Sequence, residues 1–328
     1  MCQVSSTERG NTVSTHDLDM IAANLRAAFP ALDVATTRML GGGFRSLVVE
    51  TDGGIVFRIA RNQDAAAGYA RETLLLPAIG PRLPVAVPDP RWSAGPSESF
   101  PFGVMGYPRL RGRPLQPRDL AAGNAARIAR DVAAFLVALH RVPPRDVTAL
   151  GLSDLPDPGD RVAGWPRLRD EVTPALRDVL TPREYGAVEQ WWDGFLADDA
   201  MRRYTPALCH GDLWYENILV DDRGAADNGA TTVAGGVDFE CAAVGDPARD
   251  FATQLHLGAP FARVVVRAYR ELGGVLDDGV EHRVRRWWEA REFDGLRFAL
   301  RHDDAAEFRD ALAKVRASPI LSPGEERW

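Results

Sequence analysis

Lysine is almost missing from this chain. Of its 39 basic residues only Lys314 is a lysine, so 38 are arginine. A GC-rich genome accounts for such a bias, since arginine codons are largely GC-rich. The bias still has a chemical consequence. Any side chain that grips phosphate near the N-terminus must be a planar, bidentate guanidinium rather than a compact ammonium. Cysteine is also scarce. Cys2, Cys209 and Cys241 are odd in number and widely spaced, which argues against a disulfide framework, and no CxxC pair offers a structural zinc site. No apolar run approaches the roughly 20 residues needed to cross a bilayer. The polar stretch Met1–Ser14 lacks the apolar segment of a signal peptide. Positive charge is not in excess: 39 basic residues face 46 acidic ones, for a net charge of -7. That balance makes a poor general binder of nucleic acid and a better host for cationic small molecules. The expectation is a soluble cytoplasmic protein, monomeric or weakly dimeric, with no nucleic-acid or membrane partner.

The chain has 328 residues, 45% hydrophobic and 26% charged, enough for about two lobes. Ser14 and Asp17 have capping-box spacing, and Ile21, Leu25 and Phe29 recur every four residues, which predicts a helix stopped at Pro30. Short strands follow: Arg38–Leu40, then Ser46–Glu50 and Ile55–Ala60 as a hairpin about Asp52-Gly53-Gly54. A helical pattern spans 63–79, proline-rich connection fills 81–101, another strand covers Gly103–Leu110, and Arg111–Pro114 reads as a linker. Beyond it the character turns helical, beginning with Ile128, Val132, Phe135, Leu136 and Leu139 on one face. A short β-rich island, Ala207 to Asp238, interrupts the helices.

The island carries the chemistry. It holds His210-Gly211-Asp212, then Asn217 five positions after the aspartate, then Val237-Asp238-Phe239-Glu240. Apolar stretches flank a polar tip (Asp221 to Gly229), which predicts a ribbon with Asp212, Asn217 and Asp238 at one end. Three oxygen-bearing side chains converging there suit a hard cation such as Mg2+. The spacing follows the protein-kinase catalytic loop, in which the aspartate accepts the proton of the attacking hydroxyl and the asparagine and second aspartate hold the metal.

Together with Gly245-Asp246-Pro247-Ala248-Arg249-Asp250, these segments resemble the aminoglycoside phosphotransferase family of antibiotic and small-metabolite kinases. The resemblance runs from about residue 35 to 315. It implies an α+β, protein-kinase-like bilobal fold: an N-lobe at 1–110 with a five-stranded sheet, and a helical C-lobe at 111–328. It implies transfer of the γ-phosphate of ATP or GTP to a hydroxyl of a small-molecule acceptor, with Mg2+ as cofactor. The acceptor is an antibiotic, aminoglycoside-like, macrolide or nucleoside; a kinase of a cellular metabolite and a nucleotide-binding pseudokinase are the alternatives. Asp212 resembles the family's catalytic aspartate, His210 the loop histidine that braces it, and Asn217 and Asp238 the metal ligands. Asp246 and Asp250 are expected to cap and brace a following helix.

In such an N-lobe, Gly41-Gly42-Gly43 would form the loop over the phosphates, with Gly42 and Gly43 allowing close backbone approach and Ser46 reaching a phosphate. The template's strand lysine is replaced by Arg58, which shares a strand face with Val56 and Ala60, and Glu72 is its expected helix partner. A hinge is expected at Gly103–Pro108, with Met105 and Tyr107 near the nucleotide. Acceptor-side candidates are Glu240, Trp288, Glu289 and Glu292. Five nearby arginines, Arg283, Arg285, Arg286, Arg291 and Arg297, make that patch less acidic than a polycationic sugar would need.

Overall fold

A computed structural model describes residues 14–43, 45–121, 123–152, 158–222 and 231–322. The arm expected at 1–13 and most of the tip expected at Asp221–Gly229 lie outside them. Helix α1 (Thr15–Ala28) begins at the expected capping box: the Asp17 amide donates to Ser14 Oγ at 3.2 Å, and the Ser14 amide donates to Asp17 Oδ2 at 2.9 Å. Strands β1 (Thr37–Gly42), β2 (Ser46–Thr51) and β3 (Ile55–Ala60) follow, then α2 (Gln63–Ile79), β4 (Trp92–Ala94) and β5 (Val104–Pro108). They form one antiparallel sheet in the order β1-β2-β3-β5-β4. Strand β4 was not anticipated; three residues in a proline-rich stretch are too few for alternation to register.

Alternation divides the sheet's contacts. Leu47, Val49 and Phe57 pack with Ile21 and Leu25 of α1, while Val56, Ala60, Met105 and Tyr107 pack with Ala65 and Tyr69 of α2. Complete burial of Phe57 contributes about 2–3 kcal/mol. On the α2 face Arg58 pairs in register with Met105, so a charged residue is built into the apolar side of a strand.

The segment read as a linker ends in a strand, β6 (Arg113–Pro114). Helices α3 (Asn124–His140), α4 (Pro144–Ala149), α5 (Pro158–Leu176) and α6 (Pro182–Leu196) follow, then β7 (Ala207–Cys209), β8 (Ile218–Asp221), β9 (Thr232–Gly236) and β10 (Ala243–Gly245). Helices α7 (Ala248–Ala252), α8 (Ala259–Glu271), α9 (Val280–Arg301) and α10 (Ala305–Ala317) complete the described chain. Strand β6 joins β8 and β9 in a three-stranded ribbon, and β10 pairs with β7. Ala86 also bridges to the ribbon: its amide donates to Ala234 O at 3.1 Å and its carbonyl accepts from Gly236 N at 2.9 Å. The segment after α2 and the one after β5 thus both anchor the sheet to the ribbon. Among the described residues, no helix is long and apolar enough to cross a membrane.

Candidate active site

The loop after β7 is held by backbone geometry before any side chain acts. Gly211 has φ +80°, and a Cβ there would lie 2.4 Å from the carbonyl oxygen of Cys241, so only glycine fits. Asp250, from α7, accepts from the His210 amide at 2.9 Å, the Gly211 amide at 2.7 Å and His140 Nε2 at 3.1 Å. Burial opposes its charge, yet the hydrogen bonds from His140 and the Gly211 amide hold its carboxyl below the usual range. His210 is lowered by burial and stays neutral. Its Nδ1 accepts from the Asp212 amide at 3.3 Å, which leaves Nε2 to donate to Val237 O at 3.1 Å. It links the loop to the second acidic segment, the bracing role expected from sequence. Asp246 also acts as read: Oδ1 caps the Ala248 amide at 3.0 Å, and Oδ2 accepts from Arg283 Nε and Trp287 Nε1.

Asp250→Asn should therefore cost about 2–3 kcal/mol, because a neutral amide cannot accept from all three donors. Denaturant unfolding would measure it. The carboxylate's contribution is present above the unfolded carboxyl pKa and is lost as pH falls through the depressed native value, so the variant should also show a shallower loss of stability in acid.

The expected convergence is present. The Val237 amide donates to Asn217 O at 2.9 Å, which registers the two acidic segments at one end of the β8–β9 ribbon. Asn217 Nδ2 donates to the Asp212 carbonyl at 2.8 Å, tying the loop to the same end. Asp238 occupies the left-handed region, φ 66°, uncommon for a residue with a side chain and characteristic of functional positions. Asp212 is buried, and its Oδ1 has no hydrogen-bond partner among the described residues. Burial, then the nearby negative charge of Asp238, pushes its carboxyl up to about 7. A buried oxygen left unpartnered beside another carboxylate and an amide is an arrangement that a hard cation or a hydroxyl donor completes. The donor set fits Mg2+.

Across the cleft, Arg58 reaches both halves of the molecule. Nη1 donates to Glu72 Oε1 at 2.9 Å, as expected, and Nη2 donates to Asp238 Oδ1 at 2.8 Å and to Glu240 Oε1. Its guanidinium lies 5.0 Å from the Tyr69 ring centroid. Against the effect of burial, the ion pairs with Glu72, Asp238 and Glu240 hold Arg58 charged well above the ordinary arginine range, while burial pushes the Glu72 carboxyl up. Oxygens of Glu72, Asp238 and Glu240 lie within 4.8 Å of one another, but this cage already holds the guanidinium.

A model of the phosphotransferase enzyme family (APH) matches residues 36–288, most of the chain. The chain belongs to this family. Viomycin phosphotransferase of Streptomyces vinaceus is 26% identical over 283 residues, covering 84% of this chain and 91% of that protein. The uncharacterised YcbJ of Bacillus subtilis (strain 168) is 26% identical over 248 residues, 71% of this chain and 74% of that one. Among solved structures, the GDP and kanamycin complex of APH(2")-IIIa aligns at TM-score 0.79 and 22% identity, covering 90% of this chain and 97% of that chain. Macrolide 2'-phosphotransferase MphH from Brachybacterium faecium aligns at 0.68 and 27%, covering 94% and 100%.

The phosphotransferase departs from the sequence reading on both sides of the cleft. Gly103–Pro108 is mostly strand: β5 pairs with β3 from Val104 to Pro108 but with β4 only from Val104 to Gly106, so Tyr107 and Pro108 have no β4 partner. Met105 and Tyr107 are buried against α2, and Met105 Sδ accepts from Thr73 Oγ1 at 3.7 Å. They lie on the sheet face that carries Arg58. The connection to β6 runs through 109–112.

In the glycine loop, the Gly43 amide donates to Ser46 O, and Arg61 Nη1 donates to Gly43 O, each at 2.9 Å. A Cβ at Gly41 or Gly43 would meet nothing, and one at Gly42 would make only ordinary contacts with Leu47 and Met39, so the protein's own packing does not demand the glycines. Ser46 Oγ accepts from Tyr69 OH at 2.5 Å and donates to Glu240 Oε1 at 3.3 Å, so it is engaged within the protein.

On the acceptor side, Glu240 does not face the groove; it points to the glycine loop and β3. Glu289 accepts from Trp191 Nε1 at 2.9 Å and Arg286 Nη1 at 2.8 Å, an internal role. Glu292 pairs with Arg291 at 2.8 Å, and burial raises its carboxyl. Arg291 lies 3.3 Å from the Trp288 ring centroid, and the His256 ring meets Trp288 edge-on at 4.8 Å. Burial, then the positive charge of Arg291, drops His256 to about 3, so this wall holds a neutral imidazole. Sequence reasoning missed Arg45, Tyr69, His140 and His256. None carries a spacing signal, since each acts through a partner about 20 or more residues away.

Proposed function

We propose that this phosphotransferase transfers the γ-phosphoryl group of ATP or GTP, with Mg2+, to a hydroxyl of an antibiotic. The observation that carries the reading is the buried, unpartnered Asp212 carboxylate oxygen at the ribbon end shared by Asn217 and Asp238. On this reading the N-lobe, about 1–110, holds the nucleotide, and the C-lobe, 111–328, supplies catalysis and the acceptor groove. GDP- and ADP-bound neighbours support a purine nucleotide as co-substrate.

The chemistry is mostly positioning. Asp212 accepts the hydrogen bond of the acceptor hydroxyl and takes its proton as the oxygen attacks; a carboxyl near neutrality is poised for that transfer. Asn217 and Asp238 would hold Mg2+, which when bound neutralises charge on the phosphate oxygens. Arg58 pairs the phosphates bidentately in place of a lysine, oriented by Glu72. Closure of the glycine loop excludes water.

The acceptor wall favours one part of the family's range. Its carboxylates are matched by arginines: Glu289 by Arg286 and Glu292 by Arg291. That suits a macrolide better than an aminoglycoside, whose many ammonium groups need unmatched carboxylates; viomycin enters through the likeness to viomycin phosphotransferase, not through charge. The test is resistance profiling. Expressed in a sensitive host, the chain should raise the inhibitory concentration of viomycin or a macrolide more than that of kanamycin or gentamicin. No rise for any class, with nucleoside diphosphate release on a sugar, choline or amino-acid derivative instead, would assign it to a cellular metabolite.

A further inference from the structure

We propose that Arg45, on the glycine loop, is a second phosphate-binding residue, and that Arg45 and Arg58 form a two-arginine clamp replacing the single lysine of the kinase template. The proposal rests on the phosphotransfer reading above.

Glu240 reveals the clamp. Its carboxylate oxygens are divided between two guanidiniums: Oε2 accepts from Arg45 Nε at 2.6 Å, and Oε1 accepts from Arg58 Nη2. The arginines arrive from opposite directions, one from the loop between β1 and β2 and the other from β3. They therefore converge on one small anion with two oxygens on one centre. A phosphate presents the same spacing with an additional oxygen, and guanidinium pairs bind it in the same fork geometry. Glu240 occupies the point at which the two guanidiniums meet.

The seat of Glu240 is built. Its side chain is 4% exposed and lies against Gly68 of α2, where a Cβ would come within 3.1 Å of Glu240 Cγ. Arg71 Nη2 donates to the Glu240 carbonyl at 3.2 Å, and Ser46 Oγ donates to Oε1. The two arginines differ in setting. The Arg58 side chain is 6% exposed and also held by Glu72 and Asp238, whereas that of Arg45 is 27% exposed at the loop. Arg45 is the more exposed of the two cations and Arg58 the more enclosed. Nucleotide entry exchanges the Glu240 carboxylate for phosphate at Arg45.

The test is titration calorimetry of the full chain with ATP and GTP, without metal and then with Mg2+, beside the matching nucleoside. Arg45→Ala should weaken triphosphate binding tenfold or more and leave nucleoside binding within about twofold. Arg45→Lys should recover part of the loss. Glu240→Gln, which removes the competing anion, should tighten metal-free triphosphate binding severalfold. Unchanged triphosphate binding in Arg45→Ala, or equal losses for triphosphate and nucleoside, would overturn the clamp. A wild-type protein that binds no triphosphate would instead defeat the underlying reading, so the two failures are distinguishable. Melting temperatures measured alongside show whether each variant is folded.

Discussion

Asp212→Ala is expected to lower kcat by about 10³-fold while leaving nucleotide affinity within a few-fold of the wild type. The reason is its place in the structure. Its backbone is fixed by His210 and Asn217, its side chain is buried, and one oxygen has no hydrogen-bond partner among the described residues. A capping residue would spend that oxygen on an amide, as Asp246 and Asp250 do. Since Asp212 does not, its removal leaves the local hydrogen bonds intact and deletes the acceptor for the substrate proton. Asp212→Asn should be almost as inactive, because an amide keeps the shape but cannot take the proton. Steady-state kinetics with the best acceptor, paired with calorimetric nucleotide titration, check both halves. A comparable loss of nucleotide affinity would mean that the residue serves the metal site instead.

Arg58→Ala should damage stability and binding together. The guanidinium faces Glu72, Asp238 and Glu240, and Glu72 has no solvent exposure. Arg58 is the only cation bonded to Glu72 among the described residues, so removing it strands a buried carboxylate, at a cost of about 3–5 kcal/mol. Nucleotide affinity should fall by about 10²-fold with the loss of a bidentate phosphate contact. Arg58→Lys separates the two effects. Lysine keeps the charge but is shorter and lacks the planar fork, so it serves the phosphates as a point charge and holds the three carboxylates less well. It should therefore retain most nucleotide affinity and recover only part of the stability. Denaturant unfolding and nucleotide titration measure the pair; unchanged affinity in Arg58→Ala would remove Arg58 from the phosphate site.

The legible parts of the molecule were those set by short-range pattern. The first helix and its cap, the β2–β3 hairpin, the catalytic ribbon and the Arg58–Glu72 pair all follow from spacing within about 20 residues. The His210–Asp212–Asn217–Asp238 order is legible because one loop and one hairpin carry it. What escaped was set by tertiary contact. Strands β4 and β6 are too short to show a period. Met105 looks like a hinge residue until β4 is known to pair with β5 across it. Glu240 reads as a groove residue because it follows Asp238, but the short helical turn after Asp238 sends its side chain up to the glycine loop. The arginines of α9 are legible in the sequence, but which of them pairs with which carboxylate is set by the packing, Arg286 with Glu289 and Arg291 with Glu292.

The scarcity of lysine gains a specific meaning here. Arg58 stands where the kinase template has lysine, and its planar fork binds three carboxylates that a lysine would hold less well. That arrangement makes the site dependent on guanidinium geometry, whatever produced the bias in composition.

The most direct measurement is mass spectrometry of acceptors incubated with the purified chain, Mg2+ and ATP or GTP. The panel would hold viomycin, a macrolide, kanamycin, gentamicin and streptomycin, run beside Asp212→Ala. The account expects at least one antibiotic, viomycin or the macrolide first, to gain one phosphoryl group with the wild-type chain and none with the variant. No antibiotic modified with either nucleotide, or equal modification by Asp212→Ala, would contradict it.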